Sequence, residues 1–271
     1  MPDTHSKYYL QSLAKGIQVL KVISQSSKPI GITEIARKLN TNNATVSRIC
    51  YTLSYLGYIT KDIQKRWRLT PKVLVFGYAA INSQGWLQTA QHYLEELSER
   101  TGETTNLSVM EGGDIIYVCR VDTRRILPYD IRLGTTLPVH CTSMGKVLLA
   151  FRPEEKIQDV VGAIDFVALT HNTITSKDAY LKELETVRTK GYAVNDEELS
   201  VGLRSVAAPV LDSQGWSMAA LNIAVSTTRM SRDQLESEMV PLLLNTAKDI
   251  ESTMSFLDQR ELSAQSADKE L

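Results

Sequence analysis

The sequence predicts an α+β protein in two parts: a winged helix-turn-helix, then a larger domain in which helices flank an antiparallel sheet. Three observations point there. Residues 1–80 carry 12 Lys and Arg against 3 Asp and Glu, a formal +9, while the remainder carries 18 against 28, a formal −10, within a total of −1. Two short helical patterns joined by a polar turn, then two β-rich triplets, lie between Ile30 and Leu69. Beyond Gly102 the apolar pattern changes from helical spacing to the alternation of strands, with helical patterns on either side. At 271 residues two domains are the natural expectation, and 43% hydrophobic content is ordinary for a globular chain.

The first part begins with a helix from Leu10 to Ile23, with Leu13, Ile17, Leu20 and Ile23 on the face expected to pack on the helix-turn-helix; Ser26-Ser27-Lys28-Pro29 ends it. Ile32, Ile35, Ala36 and Leu39 then fall at i, i+3, i+4, i+7, as do Val46, Ile49, Cys50 and Leu53. Asn40-Thr41-Asn42 between them supplies turn and N-cap chemistry, which makes a helix-turn-helix. Gly57 stops the second helix. Tyr58-Ile59-Thr60 and Trp67-Arg68-Leu69 are short strands whose tip carries Lys61, Lys65 and Arg66, a basic wing. Thr70-Pro71 has the form of an N-cap followed by proline at the first helical position. The helix it opens runs to about Ile81 with Leu74, Tyr78 and Ile81 in one stripe, and Asn82-Ser83-Gln84-Gly85 breaks it. The expected boundaries are 10–70 for the winged helix-turn-helix, 71–85 for a linker helix and connector, 86–257 for the second domain, and 258–271 for a polar, fraying tail.

In the second part, Trp86 to Thr101 is a helix with Leu87, Ala90, Leu94 and Leu97 inward and Gly102 as its stop. Asn106–Met110 alternates like a half-buried strand, Gly112-Gly113 turns the chain, and Ile115–Val121 and Tyr129–Leu133 are further strands. Pro138 to Met144 is a loop entering the apolar helix Lys146–Ala150, and Pro153 begins another. Lys177–Lys190 is amphipathic, burying Tyr180, Leu181, Leu184 and Val187, and Gly191 caps it. Ala193-Val194, Ser205–Leu211 and Ser217–Val225 are strands, the last two joined by a turn at Ser213-Gln214-Gly215. A terminal helix spans Ser231–Leu257, with Pro241 predicting a kink or break.

Small polar groups cover the outer face of the second short helix, as a recognition helix in a major groove requires. The candidate DNA contacts are Thr33, Asn42, Asn43, Ala44, Thr45, Ser47, Arg48 and Thr52, with Lys65 and Arg66 of the wing on phosphates. An ordinary helical hairpin with a solvated polar face would share the helix pattern but not the wing or the local charge. A basic first third joined to an acidic remainder fits a nucleic-acid module coupled to a module of another kind.

Cys50, Cys119 and Cys141 lack C-x-x-C spacing, the first residues do not read as a signal peptide, and no apolar run is long enough to span a bilayer. A cytoplasmic location with free thiols is therefore expected. His140 and Cys141 are adjacent, but His5, His92 and His171 and the other cysteines complete no zinc spacing, so no metal and no cofactor is expected. Ser143 and Gly145 stand at the entry to the Lys146–Ala150 helix, where free N–H groups and the dipole suit an anion, and Thr142 and Ser143 add hydroxyls. Either hydroxyl could instead simply cap that helix. Arg204 could grip a carboxylate or form a salt bridge with Glu197 or Glu198. Asn195-Asp196-Glu197-Glu198 reads as a polar loop rather than a metal site. Ser143-Met144-Gly145-Lys146 matches the S-x-x-K of serine acyl-transferases, but the chain has no S-D-N or K-T-G companion. A DNA-binding repressor without a ligand would have no need of the large acidic domain.

Taken together, the winged helix, Pro138-Val139-His140-Cys141-Thr142-Ser143-Met144-Gly145-Lys146, Gly191-Tyr192-Ala193-Val194-Asn195-Asp196-Glu197-Glu198 and Gly202-Leu203-Arg204-Ser205-Val206-Ala207-Ala208-Pro209-Val210 resemble IclR-type transcriptional regulators from about Leu10 to Leu257. The Cys141–Gly145 and Gly202–Ser205 wording resembles the subgroup controlling protocatechuate and β-ketoadipate catabolism. The resemblance implies a GAF-like effector domain and oligomers built from dimers. It implies a ligand pocket lined by Ser143, Met144, the Asn195–Glu198 segment (Asn195, Asp196 and Glu198), Ser205, Asn222 and Ala224, to which the helix-entry and guanidinium readings add Thr142, Gly145 and Arg204. Asn222 and Ala224 depart from the small hydroxyl residues that many members carry there. The expected function is a ligand-responsive regulator sensing a carboxylated aromatic or a dicarboxylate, an activator more readily than a repressor. Its expected partners are operator DNA and a second copy of the chain, with a dimer of dimers as the larger assembly.

Overall fold

The computed structural model describes residues 8–82, 86–123 and 131–267, and the chain divides into two compact units between residues 83 and 84. The first unit opens with α1 (Gln11–Ser24), α2 (Ile32–Lys38) and α3 (Asn43–Tyr55), then the strands β1 (Ile59–Lys61) and β2 (Trp67–Leu69). Val19, Val22 and Ile23 of α1 pack with Ile35, Ala36, Val46, Cys50, Ile59 and Trp67 in one small core. The expected α1 stripe holds only in its second half: Ile23 is buried and Leu20 packs on the core, whereas Leu13 and Ile17 are 62% and 59% exposed, and Val19 and Val22 complete the packed face.

Local chemistry sets the boundaries. Asn40 takes a positive φ of 47° in the turn, and the Asn42 side chain accepts the Thr45 N–H at 2.8 Å, capping α3. At its other end the Tyr58 N–H reaches Leu53 O and the Gly57 N–H reaches Ser54 O, a Schellman closure that needs the left-handed φ of 81° at Gly57. At the wing tip the Asp62 carboxylate accepts the Gln64 and Arg66 amides, each at 2.8 Å. Thr70 does not cap with its side chain as expected. Its hydroxyl donates to Gly57 O at 2.6 Å, and Pro71–Val73 form a 3₁₀ turn before α4 (Leu74–Asn82). Leu74 and Tyr78 of the α4 stripe are exposed. The expected break after Asn82 falls at residues 83–85, outside the described residues.

The second unit comprises α5 (Trp86–Thr101), β3 (Thr104–Glu111), β4 (Asp114–Val121), β5 (Thr136–Pro138), α6 (Ser143–Ala150), α7 (Glu154–Ala163), α8 (Lys177–Lys190), β6 (Ala193–Asp196), β7 (Leu203–Leu211), β8 (Ser217–Ser226), α9 (Arg232–Gln234) and α10 (Val240–Ala267). One antiparallel sheet runs β5-β4-β3-β8-β7-β6. This is the helix-flanked antiparallel α+β domain the sequence predicts. Strand β3 differs from its half-buried expectation: it is central, and its first five residues are all buried. Tyr129 and Asp130 of the expected fourth strand lie outside the described residues; Ile131–Leu133 form no strand, and the pairing with β4 is made by Thr136–Pro138 instead. Before Pro241 the helix widens into a π turn over Leu235–Met239, which accommodates the proline's missing N–H. Helix α10 continues to Ala267, past the fraying expected from Asp258; residues 268–271 lie outside the described residues.

Helix α6 determines where the cavity of this unit lies. All eight of its residues are buried, so it is a core element packed against the sheet. A β-carbon on Gly145 would stand 2.3 Å from Val139 O, so only glycine lets this turn approach the preceding loop.

Candidate functional site

On the first unit, Ala44, Ser47, Arg48 and Tyr51 sit at i, i+3, i+4, i+7 of α3 and are all exposed. Asn43 and Thr33 are exposed beside them, as are Lys65 and Arg66 on the wing. Tyr51, 72% exposed at the middle of this face, is a surface residue that sequence reasoning missed; the spacing from Ala44 could have found it. Three expected contacts are partly occupied by structure. The Asn42 side chain is the N-cap, Thr45 is half-buried, and the Thr52 hydroxyl donates to Arg48 O at 3.1 Å. Lys61 of the wing lies over the Trp67 ring at 4.7 Å, and Lys72, in the turn after the wing, lies over Tyr58 at 5.1 Å.

In the second unit, Thr142, Ser143, Asn195, Ser205, Asn222 and Ala224 line one enclosed cavity. Sequence reasoning named these six and missed its apolar wall of Tyr117, Ile131, Leu199 and Leu203; the first two come in from distant sequence, while Leu203 shares a strand face with Ser205 and was within reach of alternation. The register explains the convergence: Ser205 opposes Ala224 and Ala207 opposes Asn222, so alternation puts these four on one sheet face. Ser143 at the start of α6 reaches that face, its Oγ 2.8 Å from Ser205 Oγ. Asn195 is held over the cavity by donating to Cys141 O at 2.8 Å and accepting the Glu198 N–H at 2.9 Å. The free volume is about 10 Å³, room for about one water.

A polar line leads away from this cavity across the sheet. Asn222 Oδ1 accepts from Asn106 Nδ2 at 2.7 Å, and Asn106 Oδ1 accepts from Arg120 Nη1 at 2.7 Å. The three residues oppose one another in the register of β8, β3 and β4. Arg120 pairs with Asp122 through Nη2 at 2.6 Å, but its Nε is buried without a partner. Neither Arg120 nor Asn106 was singled out in the sequence, because their alignment depends on a strand register that spacing does not encode.

Five of the expected pocket residues stand elsewhere. Arg204 adjoins Ser205 on β7, so its side chain takes the opposite sheet face. There Nε and Nη2 each lie 2.7 Å from Asp196 Oδ1, and Nη1 donates to Met230 O at 2.7 Å. Its salt bridge is with Asp196, not with Glu197 or Glu198. Met144 is wholly in the core, its Sδ accepting the Ser108 hydroxyl at 3.2 Å. The Gly145 N–H is taken by Thr142 Oγ1 at 3.1 Å, so Thr142 is the cap and this amide is not free for an anion. Glu198 grips Lys146 at 2.6 Å.

Lys146 is 1% exposed, and its Nζ also donates to Glu183 Oε1 and Val194 O, each at 3.0 Å. Three acceptors consume the three protons of a charged ammonium. These contacts turn Nζ toward Glu183, Val194 and Glu198, and the Ser143 Oγ lies 2.8 Å from Ser205 Oγ, so the S-x-x-K spacing does not form a nucleophile–base pair here. Burial pushes Glu198 above the usual carboxylate range, with Lys146 opposing that rise. Burial also raises the Cys141 thiol to about 12 and those of Cys50 and Cys119 to about 11, leaving all three as inert thiols. Among the described residues no group of three or more His, Cys, Asp or Glu is placed to hold a metal, and no helix is long and apolar enough to cross a membrane.

A winged helix-turn-helix joined to a helix-flanked antiparallel sheet domain is the architecture of a DNA-binding transcriptional regulator. Residues 12–62 match the IclR helix-turn-helix domain and residues 78–252 match the bacterial transcriptional regulator IclR C-terminal domain; the chain belongs to the IclR family of transcriptional regulators. It is 35% identical over 243 residues to the Pca regulon regulatory protein of Pseudomonas putida, covering 89% of this chain and 83% of that one. It is 32% identical over 253 residues to the p-hydroxybenzoate hydroxylase transcriptional activator of Acinetobacter baylyi, covering 92% and 93%. The inducer-binding domain of a double mutant of PobR from Acinetobacter, solved with 3-hydroxybenzoic acid, matches with a TM-score of 0.57 and 34% identity over 60% of this chain and 96% of that one.

Proposed function

We propose that this regulator senses a small carboxylated aromatic at the α6 cavity and activates an operon for aromatic catabolism. The observation that carries the reading is the buried, unpartnered Nε of Arg120 at the end of the Asn222–Asn106 line. A guanidinium with one free donor, joined to the cavity lining through Asn106 and Asn222, selects an acceptor, and a carboxylate that reaches it as the wall moves outward satisfies it best. Arg120 thus takes the role that the sequence suggested for Arg204. Ser143, Ser205 and Asn195 are left to orient a ring hydroxyl, while Tyr117, Leu199 and Leu203 provide the apolar wall.

The relatives support the aromatic acid, since one is named for p-hydroxybenzoate hydroxylase and one was solved with 3-hydroxybenzoic acid. The activator sense follows the relative named as an activator. A cavity with room for about one water admits a benzoate only by outward movement of its wall. Binding and conformational change are then one event, as a sensor requires. A thermal-shift screen over hydroxybenzoates and dicarboxylates tests the reading. At a hundredfold excess over the dissociation constant an authentic effector stabilises the fold by about 2.7 kcal/mol. Stabilisation by dicarboxylates alone would replace the aromatic with a ring-cleavage product. No stabilisation by any acid would remove the proposal.

A further inference from the structure

Most of the wall of the α6 cavity is held by regular structure. Tyr117, Asn195, Ser205, Asn222 and Ala224 stand in strands of one sheet, and Ser143 opens the buried helix α6. Leu199 is different. It lines the cavity from the turn between β6 and β7, and it is 5% exposed and packed in the core of this unit. The turn is pinned at its two ends. Thr170 Oγ1 donates to Glu197 O and Thr173 Oγ1 to Glu198 O, each at 2.7 Å, and Lys146 holds the Glu198 carboxylate. Glu197 and Gly202 take left-handed φ values of 60° and 83°, and the Glu197 carboxylate accepts the Gly202 N–H at 2.6 Å, closing the neck of the turn. The tip is untied: among the described residues, the hydrogen bonds of Leu199, Ser200 and Val201 reach no farther than Leu203. Val201 is exposed, so the Leu199 side chain is what seats the tip.

We propose that Leu199 is the plug of the effector cavity. Entry of the effector withdraws the Leu199–Val201 tip between the pinned Glu198 and the left-handed Gly202, and an aromatic ring takes the place of the leucine side chain beside Tyr117 and Leu203. The inference rests on an effector binding at the α6 cavity, and it names the part of the wall that moves. Size supports it. The cavity has about 10 Å³ free. The space vacated by a core leucine, on the order of 150 Å³, admits benzene. No strand pairing breaks when the tip swings out, whereas withdrawal of Tyr117, Ser205 or Asn222 would disrupt the sheet.

Stopped-flow binding of 4-hydroxybenzoate to the full chain tests the plug. In the wild type the observed rate should level off at high acid concentration, because the plug must withdraw first. Leu199→Ala should raise that plateau by about tenfold or more, Leu199→Val should raise it less, and Leu199→Met should keep it. A wild-type rate that rises without limit, or an unchanged plateau in both Leu199→Ala and Leu199→Val, overturns the plug and leaves the acid reading standing. A plateau raised by Ile131→Ala instead does the same. Benzene, which carries no carboxylate, separates the two readings if no hydroxybenzoate binds. Should benzene then raise the melting temperature of Leu199→Ala and, less strongly, of the wild type, the plug stands and the carboxylate falls. Benzene acting on Leu199→Ala alone means that Leu199 never withdraws, which overturns the plug. Benzene acting on neither removes both readings.

Discussion

Lys146 sits one turn after Ser143 in a spacing that suggests catalysis, yet its contacts are those of a tether between α6, α8 and the end of β6. A buried charge is costly unless paired, so its stability depends on Glu198. Glu198→Ala should cost about 3–5 kcal/mol by urea unfolding, and Lys146→Met with Glu198→Leu should recover most of that. A loss under about 1 kcal/mol in the single variant would contradict the tether. His140 gives a pH signature. Its Nε2 lies 3.2 Å from Val167 O, its Nδ1 is buried without a partner, and burial holds its pKa below the ordinary 6.5. The folded state therefore holds the neutral ring. The stability this contributes is present above pH 6.5 and is lost as pH falls from there through the folded value. The melting temperature of the wild type should drop over that window relative to His140→Gln; parallel profiles would contradict it.

At the scale of elements, α3 and the wing divide two tasks. Arg48→Ala should weaken specific operator binding by about 1–3 kcal/mol if Arg48 reads a base, and relax specificity there. Lys65→Ala should weaken all duplexes alike and flatten the salt slope by about 0.9. Gel shifts on specific and random fragments separate the two, and no loss in either variant would take α3 out of the groove. These elements were legible because local sequence makes them: the Asn42 cap, Gly57 and two apolar stripes at helical spacing. The cavity was legible only in part. Arg204 and Ser205 are neighbours on a strand, so alternation alone forbids both from facing one cavity, a constraint present in the sequence. Arg120, Asn106 and Asn222 converge through two strand pairings, spanning 14 and 116 residues, whose register no local pattern reveals. On α1 the expected stripe packs only in its second half, where Val19 and Val22 complete the packed face.

At the scale of the whole molecule, Leu13 and Ile17 of α1 and Leu74, Val75, Phe76 and Tyr78 of α4 leave large apolar side chains exposed on the winged unit. Single exposed apolar residues are ordinary, but runs on two helices suit a second copy of the chain. A pair of recognition helices related by a two-fold axis reads two half-sites, which a single copy does not. Sedimentation at micromolar concentration should therefore show a dimer of the 30.3 kDa chain, or a dimer of dimers; a lone 30.3 kDa species would contradict the assembly.

The central claim is that a carboxylate effector is anchored by Arg120, which the Asn106–Asn222 line joins to the α6 cavity. Calorimetric titration of 3- and 4-hydroxybenzoate into wild type, Arg120→Ala and Arg204→Ala tests it most directly. The expected result is binding to wild type, at least a tenfold loss in Arg120→Ala, as removal of a charge-assisted hydrogen bond worth about 1.5–3 kcal/mol implies, and near-wild-type affinity in Arg204→Ala. Full affinity in Arg120→Ala with loss in Arg204→Ala would contradict it and move the anchor to the opposite face of the sheet.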